Sequence, residues 1–146
     1  MLNHILVPLD GSKLSETALD HAKNLVAAGG KITLLRVVEA GVLVSRLQQR
    51  TDDPDKVDKH ARRVAREYLS GFAAEFSKEG KQAEIEVREG KPAEAIVKAA
   101  QELGVDAIVI STHGRTGISR LVVGSVTQDV INTATCLIIV VPNMKN

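Results

Sequence analysis

Residues 111–125 carry the groups of this chain that are best suited to hold a phosphate. Gly114 and Gly117 follow an apolar run that predicts a buried strand, and Gly124 and Ser125 stand where a short helix is predicted to begin. Glycine allows a backbone to approach a ligand closely, and the first N–H groups of a helix have no partner inside it. The pattern therefore predicts a phosphate-binding loop, although the same glycines also fit a plain strand-to-helix turn.

Asp10 is the second candidate, because it directly follows the apolar residues 5–9. A carboxylate at a strand end can accept hydrogen bonds from ribose hydroxyls or hold Mg²⁺ through phosphates. Next to Gly11 and Ser12 it suits a turn or a helix cap equally well, so both interpretations stay open. His113 is interpreted as a residue that orders the loop, because no nucleophile and orienting acid accompany it.

The composition indicates an ordinary globular chain. It has 146 residues, 44% of them hydrophobic and 25% charged, which suits one domain over residues 1–146. A net charge of +1 and only 2% aromatic residues argue against a nucleic-acid partner, because they provide neither a basic surface nor a base-stacking platform. The sequence has no signal-peptide pattern and no apolar stretch of roughly 18 residues, so we expect a cytoplasmic protein without a membrane span.

Apolar runs alternate with helical patterns along the chain. The predicted strands and helices follow one another as residues 5–9, 12–28, 32–38, 55–78, 83–88, 92–103, 107–110, 126–131 and 137–141. This alternation predicts an α/β fold, a doubly wound five-stranded parallel sheet in the order 3-2-1-4-5 with helices on both faces. Ligands of such sheets bind at the carboxyl ends of the strands, where the strand order reverses. Here that point lies between the first and fourth strands and brings Asp10 beside Ser111.

Three of the predicted helices carry apolar residues at helical spacing, which marks the faces expected in the core. In the first helix these residues are Ala18, Ala22, Leu25 and Val26. In the second they are Val57, Ala61, Val64, Tyr68, Phe72 and Phe76. In the helix of residues 92–103 they are Ile96, Val97, Ala100 and Leu103. Gly29 and Gly30 are expected to end the first helix.

Three short segments and the glycine loop resemble the universal stress protein family, and the likeness covers nearly all 146 residues. The segments are residues 7–12, 34–38 and 90–93, which read Val-Pro-Leu-Asp-Gly-Ser, Leu-Leu-Arg-Val-Val and Gly-Lys-Pro-Ala. The loop is similar to the family's nucleotide motif, Gly-x2-Gly-x9-Gly-Ser/Thr, with Gly114 at its second glycine and Gly124 at its third. Ser111 stands where that motif has its first glycine.

The resemblance implies that ATP binds in the crevice between the first and fourth strands. Pro8, Leu9 and Asp10 would flank the adenosine, and the backbone of Val37 would contact the edge of the adenine. The residues that would wrap the ribose and the phosphates are Ser111, Thr112, His113, Gly114, Arg115, Thr116 and Gly117. Those that would hold the phosphates at the helix start are Gly124, Ser125, Val126 and Thr127. Mg²⁺ would be bound through the ATP phosphates, with Asp10 as a candidate ligand.

The last predicted strand, residues 137–141, is a continuous apolar run at the end of the sheet. Such an edge tends to aggregate unless something covers it. We therefore expect a homodimer in which this strand pairs with its own copy. The pairing residues would be Leu137, Ile138, Ile139, Val140 and Val141. Many universal stress proteins are similar in this respect, and the alternative is a monomer whose tail folds over the strand.

These features favour a binding module over an enzyme. The sequence has no paired carboxylates, no Walker lysine and no metal-ligand cluster, so slow ATP hydrolysis is the most we expect. The resemblance implies an ATP-binding protein in stress response or signalling. The alternative is a nucleotide-free family member that acts through dimer and partner contacts.

Overall fold

The apolar runs of the sequence form the strands of one parallel sheet, which confirms the predicted α/β fold. The computed structural model describes residues 2–39, 54–112 and 124–142. Within these ranges the elements are β1 (Leu2–Pro8), α1 (Lys13–Leu25), β2 (Val26–Val38), α2 (Pro54–Lys78), β3 (Gln82–Glu89), α3 (Pro92–Leu103), β4 (Ala107–Ser111), α4 (Ser125–Thr133) and β5 (Leu137–Val141). Neighbouring strands run parallel in the order β3-β2-β1-β4-β5, as the sequence predicts.

Helices cover the sheet on both faces, because apolar side chains of the strands alternate between two cores. One core lies under α1 and α2 and includes Val7 and Leu34. The other lies under α3 and α4 and includes Leu6 and Leu35, which are the sequence neighbours of the first pair. Adjacent residues of the two central strands thus face opposite layers, and this fixes their register.

The end of α1 differs from the prediction. The helix ends at Leu25 and not at residues 29–30, because Val26 already begins β2 and pairs with Leu2. Leu25 is therefore 40% exposed and lies outside the core. The pairing of Val26 with β1 therefore ends the helix before Gly29 and Gly30, the residues predicted to end it.

The face of α2 that meets the core follows the predicted stripe at Tyr68 and Phe72, which pack against the core, and departs from it at Val64. Val64 is 51% exposed, whereas Ala65 and Leu69 are buried. Phe76 lies in the core, as predicted. Ala65, Leu69 and Phe76 are spaced by four and seven residues, so they lie on the same face of the helix. The large side chains of Leu69 and Phe76 turn this face toward the core, and Val64 then lies next to it, on the exposed side.

The central strand β1 ends before its neighbours at the carboxyl edge of the sheet. Pro8 pairs with Leu35, and β2 continues for three more residues to Val38. On the other side, the register of Leu6 with β4 places Ser111 one residue beyond the level of Pro8. A crevice therefore opens above the end of β1, with β2 and β4 as its walls.

At the amino ends of the strands, a buried histidine and an aspartate connect the starts of neighbouring strands. His4 Nε2 lies 2.7 Å from Thr33 Oγ1, and both side chains are buried. Asp106 Oδ2 accepts the N–H groups of Asn3 at 2.8 Å and His4 at 2.9 Å, and these bonds lower the pKa of the carboxyl. The Asp106 N–H donates to the His4 carbonyl at 2.8 Å, so the segment before β4 is tied to the start of β1.

The strands β1 and β2 approach each other closely at Gly30. A Cβ on Gly30 would lie 2.7 Å from the carbonyl oxygen of Asn3, which is closer than van der Waals contact allows. We predict that Gly30→Ala destabilises the protein by about 1–3 kcal/mol, because the backbone must shift to admit the methyl group.

The matched control is Gly71→Ala. Gly71 lies on the exposed face of α2, and among the described residues no atom other than those of its chain neighbours and of the adjacent helix backbone lies within 4 Å of its Cβ position. Alanine is the better helix former there and should stabilise the protein by up to about 1 kcal/mol. Urea unfolding measures both variants, and a Gly30→Ala protein as stable as its parent would contradict the close approach.

The buried histidine makes stability depend on pH. Burial, followed by the charge of Lys31, lowers the pKa of His4 from 6.5, while Glu84 and Asp106 act in the opposite direction. The unfolded chain therefore takes up a proton on His4 before the folded chain does as the pH drops. The free energy of unfolding consequently falls as the pH decreases through 6.5 toward the lower pKa of the folded state.

We predict that the parent loses stability between about pH 7.5 and about pH 5.5, and that His4→Gln, which does not titrate there, loses less. His21→Gln, at an exposed position of α1, is the control and should keep the pH dependence of the parent. Thermal unfolding at a series of pH values gives the comparison. Identical slopes for the parent and His4→Gln would show that His4 is not the group responsible.

Candidate functional site

Within the described ranges, three pieces of backbone border the crevice above β1. They are the turn that follows β1, the last residues of β2, and the junction between β4 and α4. All three meet at the carboxyl edge of the sheet, because β1 lies between β2 and β4 and the strand order reverses there. Asp10, which follows β1, and Ser111, the last residue of β4, thus lie at the ends of neighbouring strands on the same side of the sheet.

The turn after β1, residues 9–12, is held together by its own hydrogen bonds. Asp10 Oδ1 accepts the N–H of Ser12 at 2.9 Å and the hydroxyl of Ser12 at 2.5 Å. Ser12 Oγ in turn accepts the N–H of Ser15 at 3.1 Å and so caps α1. Gly11 has a φ of 90°, which strains any residue with a side chain. Of the two roles that the sequence leaves open for Asp10, the contacts show the turn role.

Pro8 and Leu9 form the floor of the crevice, and both are buried. The N–H of Leu9 donates to the carbonyl of Leu35 at 2.8 Å, which extends the pairing of β1 with β2 by one residue. The side chain of Leu9 belongs to the core under α1 and α2. The floor is therefore part of the core and is rigidly placed.

The backbone of Val37 faces the crevice. Along a strand, the N–H and C=O groups of successive residues point to opposite neighbours. The Leu35 carbonyl points to β1, where it accepts from Leu9, and the Val38 carbonyl points the other way, where it accepts the N–H of Gly90 at 3.1 Å. Val37 therefore directs its N–H and C=O to the side of β1, beyond the point where β1 has ended.

Arg36 borders the turn, and the sequence reasoning missed it. Its Nη1 lies 3.5 Å from the carbonyl oxygen of Leu9, and a Cβ on Gly11 would lie 3.7 Å from its Nη2. Nearby, the Tyr68 hydroxyl donates to Glu16 Oε2 at 2.6 Å, and burial together with this bond raises the pKa of Tyr68. The available signal was a charged residue inside the predicted strand 32–38, which is otherwise uncharged. A guanidinium there adds positive charge at the rim of the crevice.

The described part of the β4–α4 junction includes Ser111, Thr112, Gly124 and Thr127. The Gly124 N–H donates to the Thr112 carbonyl at 2.6 Å, and the Thr127 hydroxyl donates to the Ser111 carbonyl at 2.8 Å. The Thr112 N–H donates to the carbonyl of Val141 at 3.0 Å, which ties the end of β5 to the same place. Gly124 and Thr127, which the resemblance places among the phosphate-binding residues, thus hold the helix against the sheet through these two groups.

The first turn of α4 offers backbone donors. Gly124 is its N-cap and makes no side-chain cap hydrogen bond. The Gln128 N–H donates to the Gly124 carbonyl at 2.9 Å, so the N–H groups of Ser125, Val126 and Thr127 precede the first intrahelical bond. Ser125 and Val126 are exposed. Because the helix dipole adds partial positive charge at this end, the turn is suited to bind an anion.

Two hydroxyl residues stand at the end of β4. Ser111 and Thr112 are both buried, and among the described residues Thr112 Oγ1 has no hydrogen-bond partner. Leaving such a group unpaired costs about 1–3 kcal/mol. A ligand atom that reached Thr112 Oγ1 would relieve this penalty.

The remaining predicted loop residues lie outside the described ranges. They are His113, Gly114, Arg115, Thr116 and Gly117. Among the residues that are described, no group of three or more His, Cys, Asp or Glu side chains could hold a metal ion. No helix in those same ranges combines the length and the apolar character needed to cross a membrane.

Known proteins resemble this chain along nearly its whole length. Residues 1–142 match the model of the universal stress protein family. Universal stress protein YxiE of Bacillus subtilis is 31% identical, with 97% of this chain and 99% of YxiE covered. The solved structure of MJ0577, a universal stress protein of Methanocaldococcus jannaschii, has a TM-score of 0.82 at 27% identity and covers 99% of this chain and 98% of its own.

A further solved structure shares the fold. It is a universal stress protein from Archaeoglobus fulgidus in complex with dAMP. Its TM-score is 0.61 at 24% identity, and 98% of each chain is covered.

Proposed function

The chain belongs to the universal stress protein family, and we propose that it binds ATP in the crevice above β1. The observation that carries the proposal is the first turn of α4, whose leading N–H groups stand at the edge where the strand order reverses. The phosphates would lie against the N–H groups of Ser125 and Val126, where the helix dipole favours negative charge. The predicted loop residues Gly114 and Gly117 would complete the phosphate site.

The adenine would lie over the end of β1, against the backbone of Val37. Adenine carries an acceptor ring nitrogen beside a donor amino group. The N–H and C=O of one strand residue form the complementary pair, and those of Val37 point to this side. Pro8 and Leu9 supply the buried apolar floor that small-molecule sites commonly have.

Asp10 would act mainly through the shape of the turn. Its Oδ1 already accepts two hydrogen bonds from Ser12, so ribose hydroxyls or Mg²⁺ would have to share this carboxylate. We therefore propose that Mg²⁺ reaches the site bound to the ATP phosphates. Phosphoryl transfer needs an oriented nucleophile and positioned charge, so the proposed activity is binding with slow hydrolysis at most, in cytoplasmic stress response or signalling.

A nucleotide ligand is consistent with the Archaeoglobus relative that was solved with dAMP. That likeness, at 24% identity, concerns the fold. The ligand of this chain is therefore inferred from the donors of its own crevice. The competing possibility is a nucleotide-free family member that acts through dimer and partner contacts.

We also propose that the protein forms a homodimer through β5, by way of residues 137–141. This strand lies at the edge of the sheet and pairs with β4 on one side. Val141 is buried and directs its carbonyl to β4, so Ile138 and Val140 direct their N–H and C=O groups to the open edge. Leu137 is 55% exposed at the start of the strand. Pairing with a second copy would satisfy these backbone groups and cover the leucine.

Two measurements test ATP binding directly. The purified protein is denatured, and the released material is examined for adenine nucleotide by ultraviolet absorbance and chromatography. Calorimetric titration with ATP, with and without Mg²⁺, then measures the affinity. A protein that carries no nucleotide and shows no heat of binding would favour the nucleotide-free alternative.

Ser125→Asp separates helix stability from phosphate binding. An aspartate in the first turn of α4 interacts well with the helix dipole, so stability should be unchanged or rise by up to about 1 kcal/mol. The same charge would repel the phosphates, so we predict an ATP affinity at least about tenfold weaker. Gln101→Glu adds a negative charge at an exposed position of α3 and should leave the affinity unchanged. Parent-like affinity in Ser125→Asp would place the phosphates elsewhere.

Leu137→Lys tests the dimer. We predict that a lysine at this exposed edge position raises the dimer dissociation constant by about tenfold or more, because pairing would bury its charge. Val64→Lys replaces an apolar residue of similar exposure on α2 and should leave the dimer intact. Light scattering over a range of concentrations measures both variants. A parent that stays monomeric at high micromolar concentration would refute the proposed pairing.

A further inference from the structure

Thr127 is buried on a helix turn that is otherwise exposed. It is 4% exposed, whereas Ser125, Val126 and Gln128 around it are exposed. Its hydroxyl donates to the carbonyl of Ser111 at 2.8 Å, across 16 residues of sequence. A side-chain hydrogen bond thus attaches α4 to the last residue of β4.

This use of the hydroxyl differs from the common one at the start of a helix. Serine and threonine near a helix start usually cap N–H groups of their own helix. The helix α4 instead begins at Gly124 without a side-chain cap, and the Thr127 hydroxyl donates to the strand. The leading N–H groups of α4 therefore receive no side-chain partner from a capping residue.

Two hydrogen bonds fix the start of α4 against the sheet. The Gly124 N–H is bound to the Thr112 carbonyl at 2.6 Å, and the Thr127 hydroxyl is bound to the Ser111 carbonyl. The two anchors on α4 are nearly one helical turn apart, so together they set both the position and the rotation of the first turn. The intervening N–H groups of residues 125–126 are oriented with them.

We propose that Thr127 is a positioning residue for phosphate binding, which orients the N–H groups of the first turn of α4 through its hydrogen bond to Ser111. The inference rests on the proposed function, because it takes the phosphates to lie at this turn. The hydroxyl acts through the strand carbonyl and makes no contact with the ligand itself. Without it, the helix start can rotate, and the backbone donors no longer converge on the anion.

The test uses three variants and two ligands. Thr127→Val keeps the shape of the side chain and removes the hydroxyl, whereas Thr127→Ser keeps the hydroxyl. Thr133→Val is the matched control, because the Thr133 hydroxyl donates to the Asp129 carbonyl at 2.7 Å on the exposed side of the same helix. Calorimetry measures the affinities for ATP and for adenosine, and thermal unfolding measures stability.

We expect Thr127→Val to bind ATP at least about tenfold more weakly than the parent does. Its affinity for adenosine should stay within about twofold of that of the parent. Thr127→Ser should restore the ATP affinity, and Thr133→Val should match the parent. Adenosine has no phosphates, so a general loosening of the fold would weaken both ligands alike. A loss confined to ATP is the signature of a displaced phosphate site.

Parent-like ATP affinity in Thr127→Val would overturn the inference alone. An equal loss for ATP and adenosine, or a failure of Thr127→Ser to restore binding, would do the same. A parent that binds no ATP would overturn the proposed function and the inference together.

Discussion

The early end of β1 is the constraint on which the carboxyl edge of the sheet depends. This strand pairs with β2 on one side and β4 on the other, and Ile5, Leu6 and Val7 are completely buried. Because β1 stops at Pro8 while its neighbours continue, backbone groups that would otherwise complete the ladder face an open crevice. The chain then has to hold three loop ends in place around that opening without a strand between them.

Polar side chains around the crevice meet this demand by binding the backbone of the protein. Asp10 and Ser12 hold the turn after β1, and the Thr127 hydroxyl holds the end of β4. The main-chain groups of Val37 and of the start of α4 then face the crevice, and no substitution except one by proline removes them. Ser111 stands where the motif has its first glycine. It contributes its backbone carbonyl to the junction, and a residue of any type supplies that group.

The fold could be predicted from the sequence because hydrophobic periodicity reports directly on burial. Element boundaries were less certain, since strand pairing overrode the glycines at residues 29–30 and the larger side chains of α2 turned Val64 outward. For Asp10 the sequence left two roles open, and the turn role became visible only through its hydrogen bonds to Ser12. The partner of the Thr127 hydroxyl could not be predicted, because a carbonyl distant in sequence carries no signal of its own.

The two outer strands of the sheet, β3 and β5, differ in chemistry, and this difference bears on the proposed pairing of two copies. Charged side chains of β3 form ion pairs at this outer strand: Lys31 with Glu84, Arg62 with Glu89, and Arg88 with Glu86 and Glu102. Such charges disfavour the pairing of an edge strand with a further strand. Strand β5 is apolar throughout. A sheet with two apolar edges could add strands without end, and such growth leads to fibres. A sheet with one charged and one apolar edge can pair once about a two-fold axis, and the assembly then closes.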